Sequence, residues 1–400
     1  MIRVTALVAF LVLLLAPAAD AAGLAGTKRA LARQMARAGG SSGAYVVDVD
    51  TGQVLYSKRS GVGRMPASVE KLYTSSTALL LYGAEGRLTT EVLASALPDE
   101  QGTIAGDLVL RGGGDPTFGS AATSALAEQL VDGGLVRLQG RVIGDESAFD
   151  AFRGVPSSRY ALTSDVGPLS ALAFNHGRSG RRRPYWQRSP AWFAADQFTK
   201  ALRKAGVKVT RRPRARRAPT GMTPLADWSS PPMSTVVRWM NQPSDNFIAE
   251  TLIKGLGAAF GELGSTAAGS AVVRSTVRRF GVRPRVVDGS GLSRSDRTSP
   301  RQVVKLLTGM DASEVAEEFD ASLAVVGRNG TLYRRMRGTA AQDRCHAKTG
   351  TLHDVSTLAG FCISVGGQRV AFAFLMNRVW PPSAHVLQDR MTVALARYRG

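Results

Sequence analysis

The chain is poor in acids, cysteine, histidine and aromatics, and each shortage narrows what it can be. Against 51 Lys and Arg stand only 31 Asp and Glu, a formal charge of +20 over 400 residues. That imbalance rules out an acidic, self-solvating chain and points to anionic surroundings: a wall polymer, a membrane surface or nucleic acid. Two cysteines allow at most one intrachain disulfide and exclude a Cys-rich metal site. His176, His346, His353 and His385 show no ligand spacing, so neither a metal nor another cofactor is expected. With 44% hydrophobic, 20% charged and 7% aromatic residues, the composition excludes collagen-like, coiled-coil and wholly disordered chains. No internal repeat is visible, and the length leaves room for two or three ordinary domains.

One apolar run is prominent, and it is too short to span a bilayer, which takes about 20 residues. Arg3 precedes residues 4–15, and Ala16-Pro17-Ala18-Ala19-Asp20-Ala21-Ala22 then supplies small residues around an A-x-A pattern. This is the layout of a secretory signal, with cleavage expected after Ala21 or Ala22. The expected product is exported, periplasmic or cell-wall-associated, with no transmembrane span and no nucleic acid as partner. Outside the cytosol a close thiol pair oxidises. Cys345 stands before a strand-like run, Cys362 lies in another, and His353-Asp354 offers a turn between them. A hairpin centred there sets the two cysteines opposite each other, which predicts a cross-strand disulfide.

The apolar spacing predicts helices at 24–37, 68–82, 124–131, 194–205, 234–240, 247–260, 266–280 and 300–310, and a last one from 384. A hairpin is expected over 43–57 around Asp50-Thr51-Gly52. Short strands are expected at 91–97, 106–110 and 136–142, and longer ones at 345–352, 358–365 and 369–376. The middle of the chain also carries Arg181-Arg182-Arg183 and the Arg-rich stretch 211–217. These clusters suit solvated loops or attraction to anionic wall polymers. A hairpin first, helices in the middle, then three strands and a terminal helix suit an α+β fold, an antiparallel sheet flanked by helices. The two groups of strands share one sheet only if the middle is looped out. The expected division is a signal peptide at 1–21, a discontinuous domain at 22–84 and 223–400, and an inserted, strand-rich smaller domain at 85–222.

Ser68-Val69-Glu70-Lys71 begins the second helix. Three residues along a helix return to nearly the same face, so the Lys71 amine can sit beside the Ser68 hydroxyl, as a nucleophilic serine requires. Ser244-Asp245-Asn246 opens a later helix, and Lys348-Thr349-Gly350-Thr351 lies on a strand. Each pattern is common alone; all three, once each and in this order, form a constellation. In the division of labour they suggest, Ser68 attacks a carbonyl, Lys71 takes its proton, and the backbone N–H groups of Ser68 and Thr351 hold the oxyanion. Ser244 relays protons, Asn246 grips a substrate amide, and Lys348, Thr349 and Thr351 receive a carboxylate. For Lys71 to act as a base it must be neutral. Burial and the neighbouring Lys348 are expected to bring it down from 10.4 by about 3.

S-x-x-K, S-D-N and K-T-G are the set shared by penicillin-binding proteins and class A β-lactamases. Further stretches resemble the D-alanyl-D-alanine carboxypeptidase/endopeptidase family of class C low-molecular-mass penicillin-binding proteins. They are Pro66-Ala67-Ser68 through Thr74-Ser75, Gly114-Asp115-Pro116, Gly144-Asp145-Glu146-Ser147, Ser230-Pro231-Pro232-Met233-Ser234, Asp288-Gly289-Ser290-Gly291-Leu292-Ser293 and Asn329-Gly330-Thr331-Leu332. The resemblance implies a penicillin-binding/β-lactamase-like transpeptidase fold interrupted between its first two motifs. It also implies cleavage of the terminal D-Ala-D-Ala bond, or of cross-links, in peptidoglycan stem peptides, and acylation by β-lactam antibiotics. The insert is shorter than in the larger relatives, which carry two inserted domains. The Asp288 stretch reads as a Gly-rich turn without an assigned chemical role. Two rival readings remain at this level: a β-lactamase-like hydrolase, for which no E-x-x-L-N segment is found, and a catalytically silent cell-wall-binding protein.

Overall fold

The structure, a computed structural model, describes residues 23–180 and 185–400. The expected leader at 1–21 and Arg181, Arg182 and Arg183 lie outside the described residues. The main sheet runs Ala324–Val325, Cys345–Leu352, Val355–Ile363, Arg369–Asn377, Ser42–Asp48 and Val54–Lys58, antiparallel throughout. The first hairpin therefore meets the last strands edge to edge, through Tyr45 opposite Ala373.

Alternation along the central strand decides what covers each face. Ala371, Ala373 and Leu375 point to a core shared with the helices Lys71–Tyr82, Met233–Asn241, Asn246–Phe260, Thr266–Val277 and Pro300–Asp311. Val370, Phe372, Phe374 and Met376 point the other way, to Leu31 and Met35 of Leu24–Arg37 and to Met391 and Leu395 of Pro381–Ala396. A strand buried on both faces must read as a continuous apolar run, and Arg369–Asn377 does. Each fully buried Phe or Leu contributes about 2 kcal/mol to this sandwich. Cys345 and Cys362 pair across Cys345–Leu352 and Val355–Ile363 and are disulfide-bonded, as the register of the hairpin implied.

The looped-out segment builds its own sheet, ordered Arg214–Ala215, Val142–Asp145, Leu108–Gly112, Thr89–Ala94 and Thr223–Ser229. Ser120–Asp132 and Pro190–Lys204 cover one face, with Leu126, Leu130, Phe198 and Leu202 against Val92, Leu108, Leu110 and Val142. Three details depart from expectation. Thr223–Ser229 pairs with Thr89–Ala94, so this strand belongs to the second sheet although it follows the boundary expected at 222. The single strand expected at 136–142 is two: Arg137–Leu138 in a small parallel sheet and Val142–Asp145 in the larger one. The chain changes sheets at Gly140, where a Cβ would lie 2.1 Å from the Gly106 carbonyl oxygen. The last helix starts at Pro381, ahead of the expected 384, with prolines in the first turn where a missing N–H costs nothing.

Candidate functional site

The helix expected from residue 68 begins differently. Ala67–Glu70 is a turn of 3-10 helix and the α-helix starts at Lys71. Ala67 sits at φ 46°, a left-handed conformation that a non-glycine residue adopts only when its surroundings impose it. Those surroundings are close: the Thr357 hydroxyl donates to the Pro66 carbonyl oxygen at 2.7 Å, and a Cβ on Gly291 would lie 1.9 Å from the Ala67 carbonyl oxygen. Tight winding nearly superimposes residues three apart, which brings the Ser68 and Lys71 side chains together.

Lys71 is fully buried and its Nζ lies 3.0 Å from Ser68 Oγ, 2.7 Å from Asn246 Oδ1 and 2.8 Å from the Ser290 carbonyl oxygen. A neutral amine has two N–H groups and one lone pair. The two carbonyl oxygens can only accept, so both N–H groups go to them and the lone pair is left for the Ser68 hydroxyl, the one partner able to donate. Burial lowers the Lys71 pKa to about 8, against the upward pull of Glu250, Asp288, Asp245 and Glu70. The expectation that Lys348 depresses Lys71 is therefore corrected. Burial, the other cause expected, does it, and acids, absent from the sequence argument, oppose it. Lys348 is itself held well below the usual lysine range, by burial first and then by Lys71.

The other two motifs lie around this pair. Asn246 starts the helix Asn246–Phe260 behind Asp245, whose carboxylate caps it by accepting from Ile248 N–H. The Asn246 Nδ2 donates to the Asp165 carbonyl oxygen at 3.1 Å, so one amide touches both Lys71 and the looped-out segment. Ser244 occupies the left-handed region at φ 65°, and its hydroxyl makes no hydrogen bond among the described residues. Lys348 is fully buried in the strand Cys345–Leu352 and donates to the Thr349 carbonyl oxygen at 2.9 Å. The Thr349 hydroxyl bonds Thr331 at 2.7 Å, and Thr351 is exposed at the strand's end. Gly350 brings the strand against the Ala67–Glu70 turn: a Cβ there would lie 2.8 Å from both Ser68 N and the Pro66 carbonyl oxygen.

Several site residues escaped the sequence reading. Under Lys71 lie four buried acids, Glu70, Glu250, Asp288 and Asp296. Both Glu70 oxygens and Glu250 Oε2 have no hydrogen-bond partner among the described residues, while Asp296 shares a side-chain hydrogen bond with Asp288. Burial pushes all four upward, and repulsion from neighbouring acids adds to it at Glu70, Glu250 and Asp296, with Glu250 raised to about 8 and Asp296 to about 11. The Asp288 stretch is a turn, as expected, and it also supplies the Ser290 carbonyl to Lys71. Among the described residues no cluster of His, Cys, Asp or Glu could hold a metal ion.

The D-Ala-D-Ala carboxypeptidase 3 (S13) family matches residues 28–179 and 177–398. The chain belongs to this family. S13 proteins are serine-type carboxypeptidases, and the family's reach over almost the whole described chain includes all three motifs. The D-alanyl-D-alanine carboxypeptidase of Actinomadura sp. is 29% identical over 447 residues, covering 90% of this chain and 82% of the relative. Carboxypeptidase DacB of Mycolicibacterium smegmatis is 31% identical over 362 residues, covering 84% and 76%. Among solved structures, penicillin binding protein 4 of Haemophilus influenzae superposes with a TM-score of 0.78 at 19% identity, over 92% of this chain and 99% of that one. That likeness confirms the mixed α+β fold of this S13 chain. The same Haemophilus protein has been solved with a β-lactam bound.

Proposed function

We propose that this protein removes the terminal D-Ala from peptidoglycan stem peptides, or opens D-Ala cross-links, through an acyl-enzyme on Ser68. The observation that carries the reading is the buried Lys71 amine, 3.0 Å from Ser68 Oγ and held by two carbonyl oxygens, an arrangement that in the neutral amine leaves the lone pair for the Ser68 hydroxyl. Ser68 Oγ attacks the penultimate D-Ala carbonyl as Lys71 takes the hydroxyl proton. The C–N bond then breaks, and the departing amine receives a proton through Ser244. Water adds to the acyl-enzyme and frees Ser68. Backbone N–H groups of Ser68 and Thr351 stabilise the oxyanion, Asn246 holds the peptide amide, and Lys348, Thr349 and Thr351 receive the substrate carboxylate. A β-lactam acylates Ser68 by the same attack.

The substrate's location implies export with removal of residues 1–21. The reading includes a discontinuous catalytic domain at 22–84 and 230–400, the insert ending at the last residue of Thr223–Ser229. No described helix is long and apolar enough to cross a membrane. Lys204, Lys208, Arg211, Arg212, Arg214 and Arg217 are all exposed, which supports attraction to anionic wall polymers. Retention on purified cell walls should fall steeply as salt rises; retention indifferent to salt argues against that attraction.

Fluorescent penicillin followed by denaturing electrophoresis tests the acyl-enzyme. Wild type is expected to carry a lasting label and S68A none. Digestion of purified muropeptides with mass analysis reads the activity, loss of one alanine marking carboxypeptidase action and conversion of dimers to monomers marking endopeptidase action. A quickly lost label with intact muropeptides identifies a β-lactamase instead. No label and no cleavage leave a wall-binding protein.

A further inference from the structure

Glu250 is fully buried one turn into the helix that Asn246 opens, and the reaction outlined above gives it no part. Its Oε1 accepts from two successive backbone groups, Gly289 N–H at 3.0 Å and Ser290 N–H at 2.8 Å. The carbonyl of the same Ser290 lies 2.8 Å from Lys71 Nζ. From the other side, the Thr74 hydroxyl donates to the Gly289 carbonyl oxygen at 2.9 Å. Gly289 has no room for a side chain, since a Cβ would come within 2.6 Å of the Ala249 carbonyl oxygen. The segment that presents the Ser290 carbonyl is therefore gripped at both of its N–H groups and at one carbonyl.

We infer that Glu250 is a positioning residue for the reaction: it clamps the Gly289–Ser290 backbone so that the Ser290 carbonyl takes a Lys71 N–H and turns the amine's lone pair toward Ser68. The inference rests on the serine reading above. Without the clamp, the Ser290 carbonyl can drift and the amine loses one of the two acceptors that orient it. A misplacement of about 1 Å at a reacting pair lowers a rate on the order of a hundredfold.

Glu250 also acts on Lys71 through charge. Lys71 faces Glu70 from its own turn, Asp245 and Glu250 from the following helix, Asp288 from the loop before residue 300, and Lys348 across the cleft. Glu250 in turn faces Asp288 and Lys71, and Lys254 stands one turn along its helix; Asp296 repels Glu70 and Asp288. Each acid near Lys71 favours its protonated form, so an acid removed lets the amine shed its proton at lower pH.

Three variants separate the two effects, read as second-order labelling by fluorescent penicillin across pH. Glu250→Gln keeps an oxygen for the two N–H groups and deletes the charge. Glu250, raised to about 8, ionises in the same range as Lys71, so the variant's plateau should stay within about threefold of wild type while the acid limb moves down by up to about one pH unit. Glu250→Leu deletes both, and its plateau should fall tenfold or more. Thr74→Val loosens the same segment without altering charge, so its plateau should fall several-fold with the limb unmoved. Melting temperatures check that each variant folds. If Glu250→Leu does not fold, Glu250→Gln and Thr74→Val decide between themselves. Limbs and plateaus unmoved in the folded variants overturn the inference while the serine reading stands, as does an equal fall in both Glu250 variants with no movement of the limb. A wild type that does not label overturns the serine reading and this inference with it.

Discussion

Gly350→Ala should cripple acylation while leaving the protein folded. The added methyl would lie 2.3 Å from Thr357 Oγ1 and 2.8 Å from both the Pro66 carbonyl oxygen and Ser68 N. Thr357 can swing away only by giving up its 2.7 Å bond to Pro66. The two backbone atoms cannot swing at all. The nucleophile turn must therefore retreat by roughly 0.6 Å or more to reach ordinary van der Waals contact. Lys71 does not follow, because Asn246 and Ser290 hold its amine. Ser68 Oγ then withdraws from the base that stands 3.0 Å away. Overpacking of this kind costs about 1–3 kcal/mol of stability, and since a displacement of about 1 Å slows a step on the order of a hundredfold, a retreat of this size should slow it by roughly tenfold or more. The assay is stopped-time labelling with fluorescent penicillin, with Gly61→Ala as control, since a Cβ there meets nothing within 4 Å. Wild-type labelling rates in a folded G350A variant would refute the close approach of strand and turn.

Four further outcomes follow from the same structure. Acylation should rise with pH and level off above a midpoint near the Lys71 value of about 8, because the amine must lose its proton before it can accept one. A rate that falls through this range rejects Lys71 as the base. The same depressed pKa means that charging the amine destabilises the fold below pH 8, by about 3 kcal/mol, with stability recovered as pH rises from there toward 10.5. Replacing Cys345 and Cys362 together by alanine removes a cross-link spanning 17 residues and should cost about 3 kcal/mol in urea unfolding, with labelling kinetics nearly unchanged at low temperature. Asp150→Ala strands the buried Lys254 ammonium, now bonded to Asp150 at 2.6 Å and to the Phe152 carbonyl oxygen at 2.7 Å. The expected loss is about 3 kcal/mol, and an unchanged unfolding midpoint would show the pair to be dispensable.

What the sequence disclosed and what it hid divide along a physical line. Ser68 and Lys71 stand three residues apart, and local winding brings their side chains to 3.0 Å, so spacing alone disclosed that pair. The unbroken apolar run of 370–376 likewise announces a strand covered on both sides. The 3-10 turn at Ala67–Glu70 was not legible, because the left-handed Ala67 is imposed by Thr357 and Gly291, which are distant in the chain. Nor were the acids beneath Lys71: positions 70, 250, 288 and 296 share no spacing, and only the folded chain collects them. Their signal in the sequence is weak but real, an acid inside each of two motif segments whose neighbours are apolar or small.

The central sheet also works as a partition. Val69 and Leu72, beside the nucleophile, pack on one side of it; Leu31 and Met35 near the start of the described chain, and Met391 and Leu395 near its end, pack on the other. Both ends of the described chain thus lie on the side of the sheet away from Val69 and Leu72. A fluorophore, affinity handle or surface tether attached at the C-terminal end would leave the cleft facing outward, free to meet a large polymer.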